Sequence, residues 1–466
     1  MNLSKELSID QIENKNLLKV KLESIKLGTM LRRSNFRKQC AETYSIQRLL
    51  YRIMVIMFMD KPMRALWESS NMLADCLKGA GKDCYYRLLK NERSNWRNLL
   101  LMVTKKLLRP LEKLTPRQER VLILDDTPNK KRGKDIELLS WHYDHSTHTH
   151  YKGFTQVHLG WSDGNSYLPM DFCPKVSPDR RTNTREKKID QRTCGAQRRK
   201  ESFETKLEQG LKMLSRCYAA GVDVGYVVYD SWFAKPSFIK SVFDIGYQTV
   251  CQLVRNDKIW HVTYLEKTWT LKALYRHLQE TKSFSKMTIG NIQQYVASIV
   301  VQHANGLELK LLFCKTGRKK EWIVIASTDA AQSNRHVLET YAKRWDIEQF
   351  FKDSKQLLKL GKEQSIDFDV QIAMTTIRLM TYAIGSSMRR ELLDERTFGE
   401  LFELLENQFS RLNLDRDILS LIFNYVLESL STLAKKKVMT ELQVIFDCLL
   451  ENFASNGLIR EKKKVA

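Results

Sequence analysis

The sequence predicts a mixed α/β fold with helical regions at both ends, and three observations support this prediction. Apolar residues recur at helical spacing up to about residue 115 and again beyond residue 390. Two continuous apolar runs, residues 121–124 and 224–229, are typical of strands buried on both faces, and residues 203–218 between them return to helical spacing. Several β-branched and aromatic runs between residues 247 and 327 then indicate an additional β-rich segment.

Composition restricts the class of protein and of partner. The 77 Lys and Arg residues against 54 Asp and Glu residues give a net charge of +23, which suits a polyanionic partner, nucleic acid first of all. The longest apolar run near the start, residues 53–59, is much shorter than the roughly 20 residues of a membrane span. Residues 1–20 lack the pattern of a signal peptide. We therefore expect a cytoplasmic protein with no membrane partner.

The chain is predicted to divide into five segments. A helical N-terminal region covers residues 1–115, and an α/β core covers residues 116–255 and 321–390, with a β-rich insertion at residues 256–320 between its two parts. A helical C-terminal region covers residues 391–466, and its acidic first part, residues 391–430, favours packing or self-association over DNA binding.

Two basic stretches are candidates for contacts with nucleic acid. Residues 65–89 fit a helix-turn-helix, although ordinary helix packing explains the pattern equally well, and the N-terminal region is expected to bind DNA through it. The basic side chains available there are Lys82, Arg87, Lys90 and Arg93. Residues 175–200 hold ten basic and three acidic side chains with almost nothing apolar, which predicts a mobile or DNA-contacting loop.

Carboxylates follow two of the apolar runs at the point where each strand ends. Asp125 and Asp126 follow residues 121–124, and Asp230 follows residues 224–229. In open α/β sheets ligands bind at the carboxyl ends of strands, so acids from neighbouring strands can hold a cation there. Taken singly, each acid is also explained as a helix N-cap or a turn residue.

A helix is predicted over about residues 335–358, and four functional side chains share one narrow stripe of it. They are Tyr341, Arg344, Glu348 and Lys355. The stripe borders the apolar face, which places Glu348 at the edge of the sheet, whereas Asp346 and Asp353 fall on the far side of the helix. The alternative is a solvated charge stripe with pairs four residues apart.

The residues on this stripe resemble a known family signature. The spacing Tyr341-x2-Arg344-x3-Glu348-x6-Lys355 resembles the Tyr-Arg-Glu-Lys signature of DDE transposases of bacterial insertion sequences, in the branch named after insertion sequence four. The run 125–127, Asp-Asp-Thr, resembles the first-acid motif of that family, and the run 230–233, Asp-Ser-Trp-Phe, resembles the second. The resemblance covers about residues 40–390.

The resemblance implies a ribonuclease H-like catalytic core with a β-rich insertion. It implies that Asp125, Asp230 and Glu348 are catalytic and bind two Mg²⁺ ions, for which Mn²⁺ can substitute. Asp125 fits the motif spacing better than Asp126. Arg344 and Lys355 are expected to bind phosphates near the scissile bond, and Tyr341 to position the terminal nucleotides.

The implied activity is cut-and-paste DNA transposition. The expected partner is double-stranded DNA, both the inverted-repeat ends of an insertion sequence and the target, bound by a homodimer in a nucleoid-associated complex. Cleavage through a hairpin intermediate is compatible with the signature. A catalytically inactive or domesticated DNA-binding protein and a purely hydrolytic nuclease of the same fold are the alternatives.

Two further features were weighed as ligand sites. Trp345 is a candidate for stacking on a nucleotide, and burial beside the helix is the alternative. Four histidines lie close together in the sequence, but their spacing suits no standard zinc motif and they are not predicted to bind metal. They are His142, His145, His148 and His150. The nine cysteines form no Cys-x-x-Cys pair, so no zinc ribbon or disulfide framework is predicted.

Overall fold

A computed structural model of the chain describes most of the predicted core and part of the flanking regions. It describes residues 17–37, 45–58, 63–64, 81–144, 147–185, 187–289, 292–316, 321–363, 365–391 and 397–407. The first helix of the predicted helix-turn-helix and residues 408–466 of the C-terminal region lie outside these ranges. Within them, none of the helices combines the length and the apolar character that crossing a bilayer requires.

The chain divides into two compact units. The first comprises residues 1–107, 193–195 and 353–466, and the second comprises residues 108–192 and 196–352. The helices named here are, in chain order, α1 (Leu17–Ser24), α2 (Leu27–Arg33), α3 (Ile46–Phe58), α4 (Lys82–Leu89), α5 (Trp96–Glu112), α6 (Cys194–Ser202), α7 (Lys206–Ala219), α8 (Pro236–Ile245), α9 (Leu271–Glu280), α10 (Asn334–Ala342), α11 (Trp345–Gln356) and α12 (Phe368–Glu391).

The first unit is helical, as predicted for the regions that flank the core. Helix α12 packs against α1, α3 and α4 and is buried along nearly its whole length, so that it encloses polar side chains as well as apolar ones. Its buried Arg378 forms an ion pair with the buried Glu363. The Tyr382 ring stacks on Phe398 with ring centroids 4.3 Å apart. Burial of this central helix holds the unit together.

The second unit is built on one large mixed sheet. Its strands are β1 (Val121–Lys130), β2 (Ser140–Asp144), β3 (Thr149–Ser162), β4 (Tyr167–Lys175), β5 (Tyr226–Tyr229), β6 (Gln248–Leu253), β7 (His261–Tyr264), β8 (Lys267–Thr270), β9 (Ser285–Ile289), β10 (Ile292–His303), β11 (Glu308–Thr316) and β12 (Trp322–Ser327). The spatial order is β2-β3-β1-β5-β6-β12-β11-β10-β7-β8, with β4 paired to β3 and β9 paired to β10.

The centre of this sheet is parallel, and its margins are antiparallel. Strands β1, β5 and β6 run parallel to one another, and β3 and β12 join them in antiparallel orientation on either side. Residues 121–124 and 226–229 are buried, as expected for central strands with both faces covered. Helix α7 packs on β3 and β4, and α8 packs on β6. The mixed α/β fold is confirmed and is consistent with a ribonuclease H-like core.

The β-rich segment is continuous with the core sheet. Strands β7 to β11 are antiparallel to their neighbours and join the core through the β11–β12 and β12–β6 pairings. Helix α9 lies within this segment, and its Tyr275 stacks on Trp322 with ring centroids 4.2 Å apart. The insertion therefore extends the sheet that carries the candidate site.

The prediction that residues 175–200 form a mobile or DNA-contacting loop is wrong for its last part. Helix α6 begins at Cys194, and Arg198 and Arg199 are buried. The guanidinium of Arg199 donates to both carboxylate oxygens of Glu137 at 2.8 Å, and such two-point pairing compensates the loss of hydration. The composition of the segment predicted a solvated loop, because composition does not show that Glu137 pairs with Arg199 in the folded protein.

Candidate active site

Three polar residues lie side by side just beyond the last parallel pairings of β1, β5 and β6, although β1 itself continues past Asp125 to Lys130. Leu124 on β1 is in register with Tyr229 on β5, so Asp125 and Asp230 come next at the same level. Strand β6 continues this register and places Gln252 beside Asp230. The carboxyl ends of neighbouring parallel strands thus bring the first two predicted acids together.

Burial and mutual repulsion make the first two acids an unfavourable pair in the absence of a cation. Burial raises the pKa of Asp125 to about 7, and the negative charges of Asp230 and Asp126 add to this effect. Burial also raises the pKa of Asp230, although its Oδ1 accepts hydrogen bonds from the backbone N–H groups of Trp232 and Phe233. These two hydrogen bonds show that Asp230 also stabilises the turn after β5. The interpretation as a turn residue and the interpretation as a cation ligand are therefore compatible.

Asp126 has a different environment from Asp125. Its Oδ1 lies 2.7 Å from Nζ of Lys206, at the start of α7. The same ammonium group lies 3.5 Å from the centroid of the Trp232 ring, which is 40% exposed. Lys206 therefore compensates the charge of Asp126, whereas the cation beside Asp125 is Arg344, whose Nη1 lies 3.7 Å from Oδ2 of Asp125.

The predicted continuous helix over residues 335–358 is interrupted. Helix α10 ends at Ala342 and α11 begins at Trp345, so Tyr341 and Glu348 lie on separate helices. At the break, the Lys343 ammonium donates to the carboxylate of Glu119 at 2.6 Å. This contact with a residue more than 200 positions away is absent from the local pattern, so the prediction of one continuous helix is wrong. Three residues of the predicted stripe still lie together, because the guanidinium carbon of Arg344 is 6.0 Å from the centroid of the Tyr341 ring and its Nη1 is 2.6 Å from Oε1 of Glu348.

Arg344, at the break, connects the first acid with the third. Its Nη1 lies 2.6 Å from Oε1 of Glu348 and 3.7 Å from Oδ2 of Asp125. In the part of the chain that the structure describes, no three His, Cys, Asp or Glu side chains are grouped closely enough to hold a metal ion. One guanidinium thus compensates both carboxylates, and Glu348 must release it before it can become a metal ligand.

Helix α11 is fixed against the sheet by the residues next to Glu348. The rings of Phe350 and Phe351 approach the buried His158 of β3 edge-on, with centroids 5.9 and 5.2 Å away. The Ser162 hydroxyl donates to Asp346. These contacts direct Asp346 towards β3, while Glu348 remains beside Arg344.

Tyr341 contacts a residue that the sequence did not single out. Its hydroxyl donates to Oε1 of Gln252 at 3.0 Å, and burial raises the pKa of Tyr341 to about 12, so this phenol stays protonated. The only feature of the sequence that could have indicated Gln252 was a single amide side chain within the otherwise apolar run 249–254.

Trp345 is 64% exposed, which makes the alternative of burial wrong. Lys355 lies in the last turn of α11, within the first compact unit.

The histidine-rich stretch offers no metal site among the residues described. His142 is buried, and its two ring nitrogens lie 2.9 Å from the Ser140 hydroxyl and 3.2 Å from the Thr155 hydroxyl. Burial lowers the pKa of His142 to about 4, so the ring is neutral at physiological pH. His145 lies outside the described residues.

The electrostatics of Asp125 predict a pH-dependent effect on stability. Its pKa is about 7 in the folded protein, against roughly 3.9 for an unfolded chain, so ionisation opposes folding. This penalty is complete above pH 7 and disappears as the pH falls towards 4. Without divalent metal, Asp125→Asn should raise the free energy of unfolding by up to about 4 kcal/mol at pH 8 and have little effect near pH 4.

Urea unfolding followed by circular dichroism, with chelator present, measures this difference. Asp126→Asn is the matched control, because it removes the ion pair with Lys206 and should give no stabilisation at pH 8. Equal stability of Asp125→Asn and wild type at pH 8 would contradict the described environment of Asp125.

Comparisons with known families give two matches, which together span the sheet and the helices that carry these acids. Residues 70–271 match the family model described as DDE superfamily endonuclease, and residues 202–384 match the model described as transposase DDE domain. A search of curated proteins found no match. The first match contains Asp125, the second contains Glu348, and both contain Asp230. Families of this kind generally depend on divalent metal ions. Over residues 70–384, the chain is therefore similar to DDE superfamily endonucleases and to DDE transposases.

Proposed function

We propose that the protein catalyses metal-dependent cut-and-paste transposition of an insertion sequence of the insertion-sequence-four branch. The observation that carries the proposal is the pairing of Asp125 and Asp230 on adjacent parallel strands, with Glu348 tied to Asp125 through Arg344. The net charge of +23 supports a DNA substrate. In this proposal the protein cleaves the inverted-repeat ends and joins them to target DNA as a homodimer.

The chemistry of the three carboxylates suits Mg²⁺ or Mn²⁺, provided that Glu348 leaves Arg344 and moves towards the two aspartates. Their donors are all oxygen atoms, which these cations prefer, and burial together with neighbouring negative charge raises the pKa values of Asp125 and Asp230 even with Arg344 nearby. When bound, such ions activate an oxygen nucleophile and stabilise the leaving 3′ oxygen. Glu348 binds Arg344 when no metal is present and becomes the third ligand after releasing it.

The remaining residues of the site act on the DNA. Once released from the carboxylates, the Arg344 guanidinium is free to pair with a phosphate near the scissile bond, and Lys355 contributes a second positive charge. Tyr341, held by Gln252, presents its ring to position the terminal nucleotides. Lys206 keeps Asp126 neutralised, so that Asp125 is the acid available for metal.

Product analysis tests the proposal. The substrate is linear DNA that carries both borders of the gene with their flanks, labelled at the ends and mixed with supercoiled plasmid and full-length protein. We expect the protein to cut at the borders only when Mg²⁺ or Mn²⁺ is present, and the labelled ends to become covalently joined to the plasmid. Denaturing gels show whether cleavage passes through hairpin ends.

The alternatives give different products. Salt-dependent DNA binding without metal-dependent cleavage would identify a DNA-binding protein without catalytic activity. Linear ends that are never joined to the plasmid would identify a hydrolytic nuclease. Either result contradicts transposition.

A further inference from the structure

Strands β2 and β3 form a hairpin that projects beyond the candidate active site. Asp125 is in register with His158 of β3, whereas the β2–β3 pairing begins five residues further along β3, at Gly153, and continues to Thr149. At about 3.3 Å per residue, Lys152 lies roughly 20 Å and His150 roughly 27 Å along the strand from the level of Asp125. We call the paired residues 140–144 and 149–153 the arm.

The arm has an inverted distribution of polar and aromatic side chains. Ser140, His142 and Asp144 on β2 are buried, whereas Trp141 and Tyr143 between them are 46% and 39% exposed. An ordinary strand at the margin of a sheet buries its aromatic residues and exposes its polar ones. If the pairing of β2 with β3 shifted by one residue, Trp141 and Tyr143 would become buried and the polar residues exposed. Specific contacts must therefore stabilise the observed register.

The buried polar residues have partners that specify this register. His142 is held by the hydroxyls of Ser140 and Thr155, and its ring stacks on Tyr151 with centroids 5.5 Å apart. Asp144 forms an ion pair with Lys130 at 3.1 Å. The sequence therefore uses hydrogen bonds and charge to keep the polar side inside, and in doing so it holds the two aromatic rings at the surface.

The exposed rings lie opposite a lysine and a histidine of β3. Trp141 is directly opposite Lys152 on β3, and Tyr143 is opposite His150, whose ring it meets edge-on at 5.1 Å. Nζ of Lys152 lies 3.4 Å from the backbone oxygen of the exposed Arg132. We define the arm surface as these five residues: Arg132, Trp141, Tyr143, His150 and Lys152.

We propose that the arm surface is a second DNA-binding site, which holds the DNA strand about six to eight nucleotides from the scissile phosphate. Lys152 and Arg132 supply charge for phosphates, and Trp141 and Tyr143 supply ring faces for bases or sugars, a combination that binds DNA without regard to sequence. The distance from the arm surface to the scissile bond rests on the proposed function. The binding of DNA by the arm surface does not, because binding needs no catalysis.

Binding measurements with the full-length chain test the proposal. The probes are a fluorescent 30-nucleotide single strand of arbitrary sequence and the corresponding duplex, titrated by anisotropy at several salt concentrations. We expect Trp141→Ala/Tyr143→Ala to bind at least one probe at least about tenfold more weakly. Lys152→Ala should lower the slope of log affinity against log salt by about 1, without altering any aromatic packing.

The matched control removes two aromatic rings from another surface. Tyr218→Ala/Phe243→Ala replaces side chains that are 53% and 41% exposed on α7 and α8, and its affinity for both probes should equal that of wild type. Unchanged binding by both arm variants would overturn the proposal, as would an equal loss in the control. A changed sedimentation coefficient of the arm variant without DNA would identify the surface as a contact between protein copies and would also overturn it.

Failure of the arm proposal is distinguishable from failure of the proposed function. Asp230→Asn should abolish cleavage and keep the arm-dependent part of binding, whereas the arm variants should lose binding whatever the protein does catalytically. Where the cleavage position has been mapped, photo-cross-links from 5-iododeoxyuridine to Trp141 or Tyr143 should peak about six to eight nucleotides from it. Cross-links restricted to nucleotides adjacent to the cleavage position would contradict the position assigned to the arm.

Discussion

Glu348→Gln is expected to reduce metal-dependent cleavage at least about 10³-fold while DNA binding stays within about twofold of wild type. The substitution keeps the size of the side chain and its ability to accept a hydrogen bond from Arg344, which lies 2.6 Å away. It removes the negative charge that a divalent cation needs. Single-turnover cleavage on gels and anisotropy with the same DNA measure the two effects separately.

The chain contains a close match for this substitution. Glu339 on α10 also pairs with an arginine four residues away, Arg335, at 2.8 Å, but this pair is exposed. Exposed pairs of this kind contribute about 0.3–0.5 kcal/mol, so Glu339→Gln should cleave at the wild-type rate. If Glu348→Gln also cleaved at that rate, Glu348 would be excluded as a metal ligand.

The second large effect separates two adjacent acids. Asp125→Asn should lose at least about 10³-fold in cleavage, because Asp125 adjoins Asp230 and faces Arg344. Asp126→Asn should lose less than about tenfold, because Asp126 is paired with Lys206 and acts on the site only through its charge. Each variant removes one negative charge at adjacent positions, so each serves as the control for the change in charge of the other.

The metal dependence of these two variants gives an independent readout. Asp126→Asn should keep the wild-type concentration of Mn²⁺ for half-maximal cleavage within a few fold, whereas Asp125→Asn should stay inactive at every Mn²⁺ concentration. The reverse order, with Asp126→Asn inactive and Asp125→Asn active, would assign the first metal ligand to Asp126.

The parts of the site that were predictable from the sequence follow from short apolar runs. Four consecutive buried residues before Asp125, and a similar run before Asp230, indicate central strands, and parallel neighbours bring their ends together. Glu348 was found through the spacing of the helical signature. Its environment in the structure, with one arginine between it and Asp125, agrees with a shared site.

The parts that were not predictable depend on contacts between distant residues. The break between α10 and α11 coincides with the Lys343–Glu119 contact, and the burial of Arg199 depends on Glu137. Gln252 lies in an apolar run whose pairing with β5 becomes visible only in the folded sheet. Local periodicity and composition carry no information on such partners, and both therefore failed at these positions.

The position of bound metal tests the central claim most directly. Crystals of the full-length protein with cleaved end DNA and Mn²⁺ would be measured at the manganese absorption edge. We expect anomalous peaks about 2.1–2.2 Å from carboxylate oxygens of Asp125, Asp230 and Glu348, with Arg344 moved away from Glu348. Manganese bound elsewhere, with Arg344 still between Asp125 and Glu348, would contradict the assignment.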